Sequence, residues 1–168
     1  MSRGRRVYVS AGRVLSPVMI LGLKFYTALT RRPRVRVIAT NEFGEILLVR
    51  GIISHRGWWT LPGGGVNRRE EWAEAASREL HEETGIKAPV KDFIYVRTVE
   101  KGELGLSFTA PLFHVVVSKR QLPQELFNPS EIADAGWFEV ANLPKPITAL
   151  ARATASECKR LDPDSRRG

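Results

Sequence analysis

Apolar positions fall on alternate residues from Arg34 to Thr40, where Val35, Val37 and Ala39 are spaced by two behind Arg34 and Arg36, the pattern of a half-buried strand. Asn41-Glu42-Phe43-Gly44 then reads as a turn and Glu45 to Arg50 as a second strand, so the spacing predicts an early hairpin. Further strands are predicted over Phe93–Val99, within Leu104–Ser118, where Phe113 to Val117 is dense in β-formers, and over Ala135–Val140. Between them the period changes. Trp72 to His81 holds no Gly or Pro, which predicts a helix from about Arg69 to Thr84, stopped by Gly85 in a left-handed conformation. A second helix is predicted over Pro146 to Arg160, begun by its proline. Strands interleaved with two or three helices make an α/β fold with a mixed sheet.

The first helix carries an unusual charge pattern. At 100° per residue, Glu79, Glu82 and Glu83 stand at about 0°, −60° and +40°, one narrow stripe near the helix C-terminus. The helix dipole is negative there and costs each acid ~0.3–1 kcal/mol. Mutual repulsion at i,i+3 and i,i+4 adds ~0.2–0.5 kcal/mol per pair. A divalent cation would reverse both, and hard oxygen donors suit Mg²⁺ or Mn²⁺. The plainer reading of such a stripe is a solvated acidic face. Beside it, Ala73, Ala76, Ser77, Leu80 and Thr84 form a small, largely apolar strip able to pack on a sheet.

The wider pattern decides between these readings. Gly64, five residues, Glu70, seven residues, Arg78-Glu79-Leu80, any residue, Glu82-Glu83, any residue and Gly85-Ile86 resembles the signature of the Nudix hydrolase family at every specified position. The preceding Trp59-Thr60-Leu61-Pro62-Gly63-Gly64 and the later Trp137-Phe138 extend the likeness to most of residues 34–145. The resemblance implies an α/β/α sandwich with a mixed sheet and hydrolysis of a nucleoside diphosphate linked to a further group X. It makes Glu79, Glu82 and Glu83, with the backbone of Gly63, the ligands of Mg²⁺ or Mn²⁺, and lets one of the three glutamates also act as base. Arg78 would orient Glu79 and pair with Glu70. Arg50, Trp59 and Gly64 become substrate contacts, and Glu131 a further catalytic acid, with Asp134 as its rival.

The group X is weakly constrained. Where relatives specific for ADP-ribose carry a proline there is Gly102, and the tyrosine position of the diadenosine class holds Glu103 or Leu104. A nucleoside triphosphate or nucleotide sugar is favoured. Trp58, Trp59, Phe108 and Phe127 are candidates for base stacking, although an aromatic in such a domain is more often core. His55, with no second ligand at metal-binding spacing, reads as a surface residue.

Charge and composition change the picture at the termini. The chain has 168 residues, 43% hydrophobic, enough for one core. Of 26 basic residues, nine lie before residue 42 with no acid among them, leaving seventeen to face eighteen acids. The net charge of +8 therefore belongs to the arm and is no argument that the catalytic domain binds nucleic acid. Residues 1–33 read as a basic, partly apolar arm, 34–161 as the catalytic domain and 162–168 as a disordered tail. Val14 to Leu29, interrupted by Lys24, is too short for a membrane span; it is open to packing on the domain, to a homodimer contact, to an anionic membrane surface or to a role as targeting peptide. A lone Cys158 excludes an internal disulfide and favours a reducing, cytoplasmic setting. Two further functional classes stay open: an RNA 5′-end pyrophosphohydrolase, and a binding module recruited to RNA or membrane through the arm.

Overall fold

The computed structural model describes residues 33–52, 57–100, 109–121 and 131–161. The arm before Pro33, His55, Gly102 to Leu104, Phe108, Phe127 and the tail after Leu161 lie outside the described residues.

Five strands, β1 (Arg36–Thr40), β2 (Ile46–Gly51), β3 (Ile94–Val99), β4 (Ala110–Val116) and β5 (Ile132–Phe138), form one sheet in the order β3-β4-β1-β2-β5. β1 runs parallel to β4, and every other pairing is antiparallel, so the sheet is mixed. The hairpin read from Asn41-Glu42-Phe43-Gly44 is present. Asn41 Oδ1 accepts from the N–H groups of Phe43 and Glu45, and Gly44 takes φ 73°.

Helix α1 (Trp72–Thr84) covers one face and helix α2 (Ala149–Leu161) the other. Alternation along the strands supplies both cores. Val35, Val37, Ala39, Leu47, Phe113 and Val115 meet Ala75, Ala76 and Leu80 of α1, while Ile38, Ile46, Leu48 and Leu112 meet Ala151, Ala155 and Cys158 of α2. The α/β/α sandwich is therefore present as expected.

Three boundaries shift by three residues from the sequence expectation, each for a local reason. α1 starts at Trp72 because Arg69 stands at φ 68°, outside the helical region, and because Glu71 and Glu74 form a reciprocal capping box. Its end is as expected, with Gly85 at φ 76° and its N–H donating to His81 O. β5 begins at Ile132, because the ladder with β2 extends through Arg50↔Asp134 and Gly51↔Ile132. α2 begins at Ala149, not at Pro146. Trp59 N–H donates to Pro146 O and Thr148 N–H to Trp59 O, so residues 146–148 pair with Trp59 and Thr148 caps the helix.

Candidate functional site

The loop ahead of α1 is sewn to β1. Val35 N–H donates to Gly64 O and Val37 N–H to Pro62 O, each at 2.9 Å, so Pro62-Gly63-Gly64 runs beside β1 where β2 no longer pairs. Gly63 adopts φ 137°, and a Cβ there would collide with the Val35 carbonyl oxygen. At Gly64 a Cβ would strike the carboxylate of Glu79. Both glycines are thus demanded by close approach, the first to backbone and the second to a functional side chain.

Arg78 is the hub of the site. Its Nε and Nη2 grip Glu70 at 2.7 and 3.0 Å, Nη1 donates to Glu79 at 2.8 Å and to Glu82 at 2.9 Å, and Nη2 also donates to Gly65 O at 2.9 Å. These five contacts use the whole donor set of a guanidinium. Hydrogen bonding to Arg78 holds the Glu70 carboxyl below its usual range, and the hydrogen bonds to Glu70, Glu79 and Glu82 push the pKa of Arg78 up. Glu79 is shifted the other way. Burial raises its pKa, opposed by Arg78 and by the charge of Arg34.

Glu83 departs furthest from the solvated stripe drawn from sequence. Its carboxylate is withdrawn from water and accepts from Gly63 N–H at 2.9 Å; burial pushes its pKa up to about 8, against that hydrogen bond and the nearby Arg36, and with Glu79 and Glu131 adding repulsion. Glu82 stays half exposed. The helical stripe thus splits into two part-buried acids, Glu79 and Glu83, and the exposed Glu82.

Glu131 follows the last residues not described and is exposed, with its carbonyl accepting from Ile52 N–H at 2.8 Å. Its charge reaches Glu83. Asp134 is committed to Arg50, Nη2 to Oδ2 at 2.9 Å. Trp59 is placed differently from its expected role as a substrate contact. Its ring is 9% exposed, edge-on to Phe138 with centroids 4.8 Å apart and capped by Arg50 at 5.3 Å, so it packs in the α2-side core. Arg50 is correspondingly occupied by Asp134 and Trp59.

Among the described residues, no three Asp, Glu, His or Cys side chains converge as they stand into a group able to hold a metal. Glu83 faces Gly63 N–H, and Glu79 and Glu82 share Arg78 Nη1. The donor chemistry nevertheless fits a hard cation, because the candidate ligands are all oxygen and burial disfavours ionisation of two of the acids, Glu79 and Glu83. A cleft of about 560 Å³ lies on the opposite flank of α1, between Glu74, Ser77, Arg78 and His81 and the segment Lys87 to Val90; none of Glu79, Glu82 and Glu83 lines it.

One residue of this site was not marked from sequence. Arg36, 8% exposed, donates from Nη1 to Gly63 O at 2.5 Å. A basic residue at a strand position that alternation assigns to a face had been counted only as charge. Its arginine identity within a tightly alternating strand was the available signal.

A match to the NUDIX domain family spans residues 30–157. Among curated proteins, the chain is 45% identical over 56 residues to an RNA pyrophosphohydrolase of Stutzerimonas stutzeri (strain A1501), covering 33% of this chain and 34% of that protein. It is 46% identical over 57 residues to an RNA pyrophosphohydrolase of Pseudomonas paraeruginosa (strain DSM 24068 / PA7), covering 34% and 35%. The chain thus matches about a third of the length of these relatives. Among solved structures, a MutT NUDIX hydrolase from Burkholderia pseudomallei superposes with TM-score 0.61 at 28% identity, over 74% of this chain and 97% of that one. A UDP-X diphosphatase does so with TM-score 0.56 at 28% identity, over 77% and 63%.

Proposed function

The chain belongs to the NUDIX domain family of pyrophosphohydrolases, and from that premise we propose that it hydrolyses a phosphoanhydride bond of a nucleoside diphosphate linked to a further group, a nucleoside triphosphate or nucleotide sugar being favoured. The observation that carries the reading is the Arg78 hub: one guanidinium holds Glu70, Glu79 and Glu82 beside the Gly64–Gly65 loop, while Glu83 is anchored on Gly63.

In this reading Glu79, Glu82, Glu83 and the Gly63 carbonyl would hold Mg²⁺ or Mn²⁺. When bound, the ion supplies charge stabilisation at a phosphoryl oxygen and lowers the pKa of water. The chain's own residues do the rest. Arg78 fixes the Glu79 carboxylate through Oε1 close against Gly64, and its pair with Glu70 fixes the guanidinium in turn. Glu131, exposed and with its charge reaching Glu83, is the candidate to accept a proton from attacking water in this reading. Arg50 and the backbone of Gly64 remain the candidates for contacting substrate phosphates.

A second reading, removal of pyrophosphate from the 5′ end of RNA, is favoured by the name of the relatives matched above over a third of their length. One experiment separates the two. Purified full chain is assayed with Mg²⁺ on a panel of nucleoside triphosphates and nucleotide sugars alongside a 5′-triphosphorylated RNA. A kcat/KM for RNA at least tenfold above every mononucleotide selects the second reading; the reverse selects the first. No turnover on any of them, with binding retained, would instead favour a binding module recruited to RNA or membrane.

A further inference from the structure

The Gly63 peptide is held at both ends by charged side chains from different elements. Its N–H donates to Glu83 Oε2 of α1 at 2.9 Å, and its carbonyl accepts from Arg36 Nη1 of β1 at 2.5 Å. We propose that Arg36 is a positioning residue for Glu83, acting through the Gly63 peptide: its guanidinium fixes the carbonyl through one lone pair, leaving the second for the cation that the same oxygen would help to hold, and the peptide so fixed presents its N–H to the carboxylate. The inference rests on the assignment of Glu83 to the catalytic site and adds a residue to it.

The local geometry supports it. Gly63 stands at φ 137°, a conformation that offers little intrinsic resistance to rotation in glycine, so the peptide plane needs external restraint. The flanking backbone supplies only part of that restraint, because Val35 and Val37 donate to Gly64 O and Pro62 O and leave the Gly63 carbonyl to another donor. A charge-assisted bond on a carbonyl also polarises the amide and strengthens donation from its N–H. Arg36 is itself 8% exposed, and placing a guanidinium there is costly unless its donors are used.

The test uses the full chain and the variants Arg36→Met, Arg36→Lys and Glu83→Gln. Two readouts are taken: steady-state kinetics on the best nucleotide of the panel, and amide hydrogen exchange at Gly63, referenced to the amides of Val35 and Val37. Arg36→Met should lower kcat by roughly tenfold or more, the loss expected when one charge-assisted hydrogen bond is removed, with KM changed less than twofold. Gly63 exchange should accelerate roughly tenfold relative to Val35 and Val37, and Arg36→Lys, which keeps the charge and a donor, should recover part of both. A merely structural Arg36 would accelerate all three amides together and spare kcat once the protein is folded, and that outcome overturns the proposal. If Arg36→Met does not fold, Arg36→Gln takes its place, and unchanged kcat with unchanged Gly63 exchange in that variant overturns the proposal equally. The two readings fail differently: an active Glu83→Gln would remove Glu83 from the site altogether, whereas an inactive Glu83→Gln with an unaffected Arg36→Met would sink only this inference.

Discussion

Arg78 and Glu70, eight residues apart, meet in a bidentate pair at 2.7 and 3.0 Å that closes the turn in front of α1. Because the same guanidinium also holds Glu79 and Glu82, the pair fixes where the acidic stripe begins. Arg78→Lys keeps the charge but offers three rotatable donors in place of a planar fork. We expect it to lower kcat by about 10²-fold, since a small displacement of a catalytic group carries a penalty of this order, and to lower stability by about 1–3 kcal/mol. Steady-state kinetics and thermal unfolding check both. Normal turnover would remove Arg78 from any orienting role.

For Glu83 the direction of pH dependence follows from its environment. Its folded pKa is about 8 against an ordinary 4.5, so between these values the folded protein binds more protons than the unfolded chain. Stability of the metal-free protein should therefore fall as pH rises from 4.5 to about 8 and level off above. Thermal melts in a chelator should show this slope, and Glu83→Gln should flatten it while raising the melting temperature at pH 8. Saturating Mg²⁺ should stabilise the parent most at the upper end of that window. The same variant should cost several orders of magnitude in turnover. Near-normal Mg²⁺-dependent activity would refute its assignment as a ligand.

Glu131 and Asp134 make opposite predictions. Asp134 is paired with Arg50 at a half-exposed site, where an ion pair contributes ~0.2–1 kcal/mol, so Asp134→Asn should change stability slightly and kcat little. Glu131→Gln should lower kcat by ~10²–10⁴, the usual contribution of a positioned acid–base group. A loss under threefold in Glu131→Gln together with a severe one in Asp134→Asn would transfer the role.

The two glycines of the loop should separate stability from activity. At Gly63 the obstacle is the Val35 backbone and φ is 137°, so Gly63→Ala should destabilise by at least about 1–3 kcal/mol. At Gly64 the obstacle is the end of the Glu79 side chain, which can move. Gly64→Ala should therefore fold nearly normally and lose turnover because Glu79 is displaced. Equal melting temperatures for the two variants would contradict this division.

Residues 1–13 hold four arginines and none of the site acids. Their deletion should leave kcat/KM on a mononucleotide unchanged. If the arm recruits RNA or anionic lipid, binding to either should weaken in the deletion and fall steeply with salt in the parent. A drop in mononucleotide turnover would place the arm within the catalytic unit.

What the sequence determined by itself is local and periodic. Alternation at Val35, Val37 and Ala39 made a strand, the stretch from Trp72 to Gly85 made a helix with its stop, and the spacing of Gly64, Glu70, Arg78, Glu79, Glu82 and Glu83 identified the family, because these signals arise from residues close in the chain. The tertiary structure decided everything that depends on what a residue meets across the fold. Helical spacing gave three acids one stripe, yet the loop beside β1 ties Glu83 to the Gly63 N–H and leaves Glu82 half exposed. The motif made Trp59 a substrate contact, and pairing with residues 146–148, which also delays the start of α2, packs it in the core. Arg36 read as one more charge of a basic arm until β1 was laid beside the Pro62–Gly64 loop. Its guanidinium acts across 27 residues of sequence, and no period along the chain records a contact that only the path of the backbone creates.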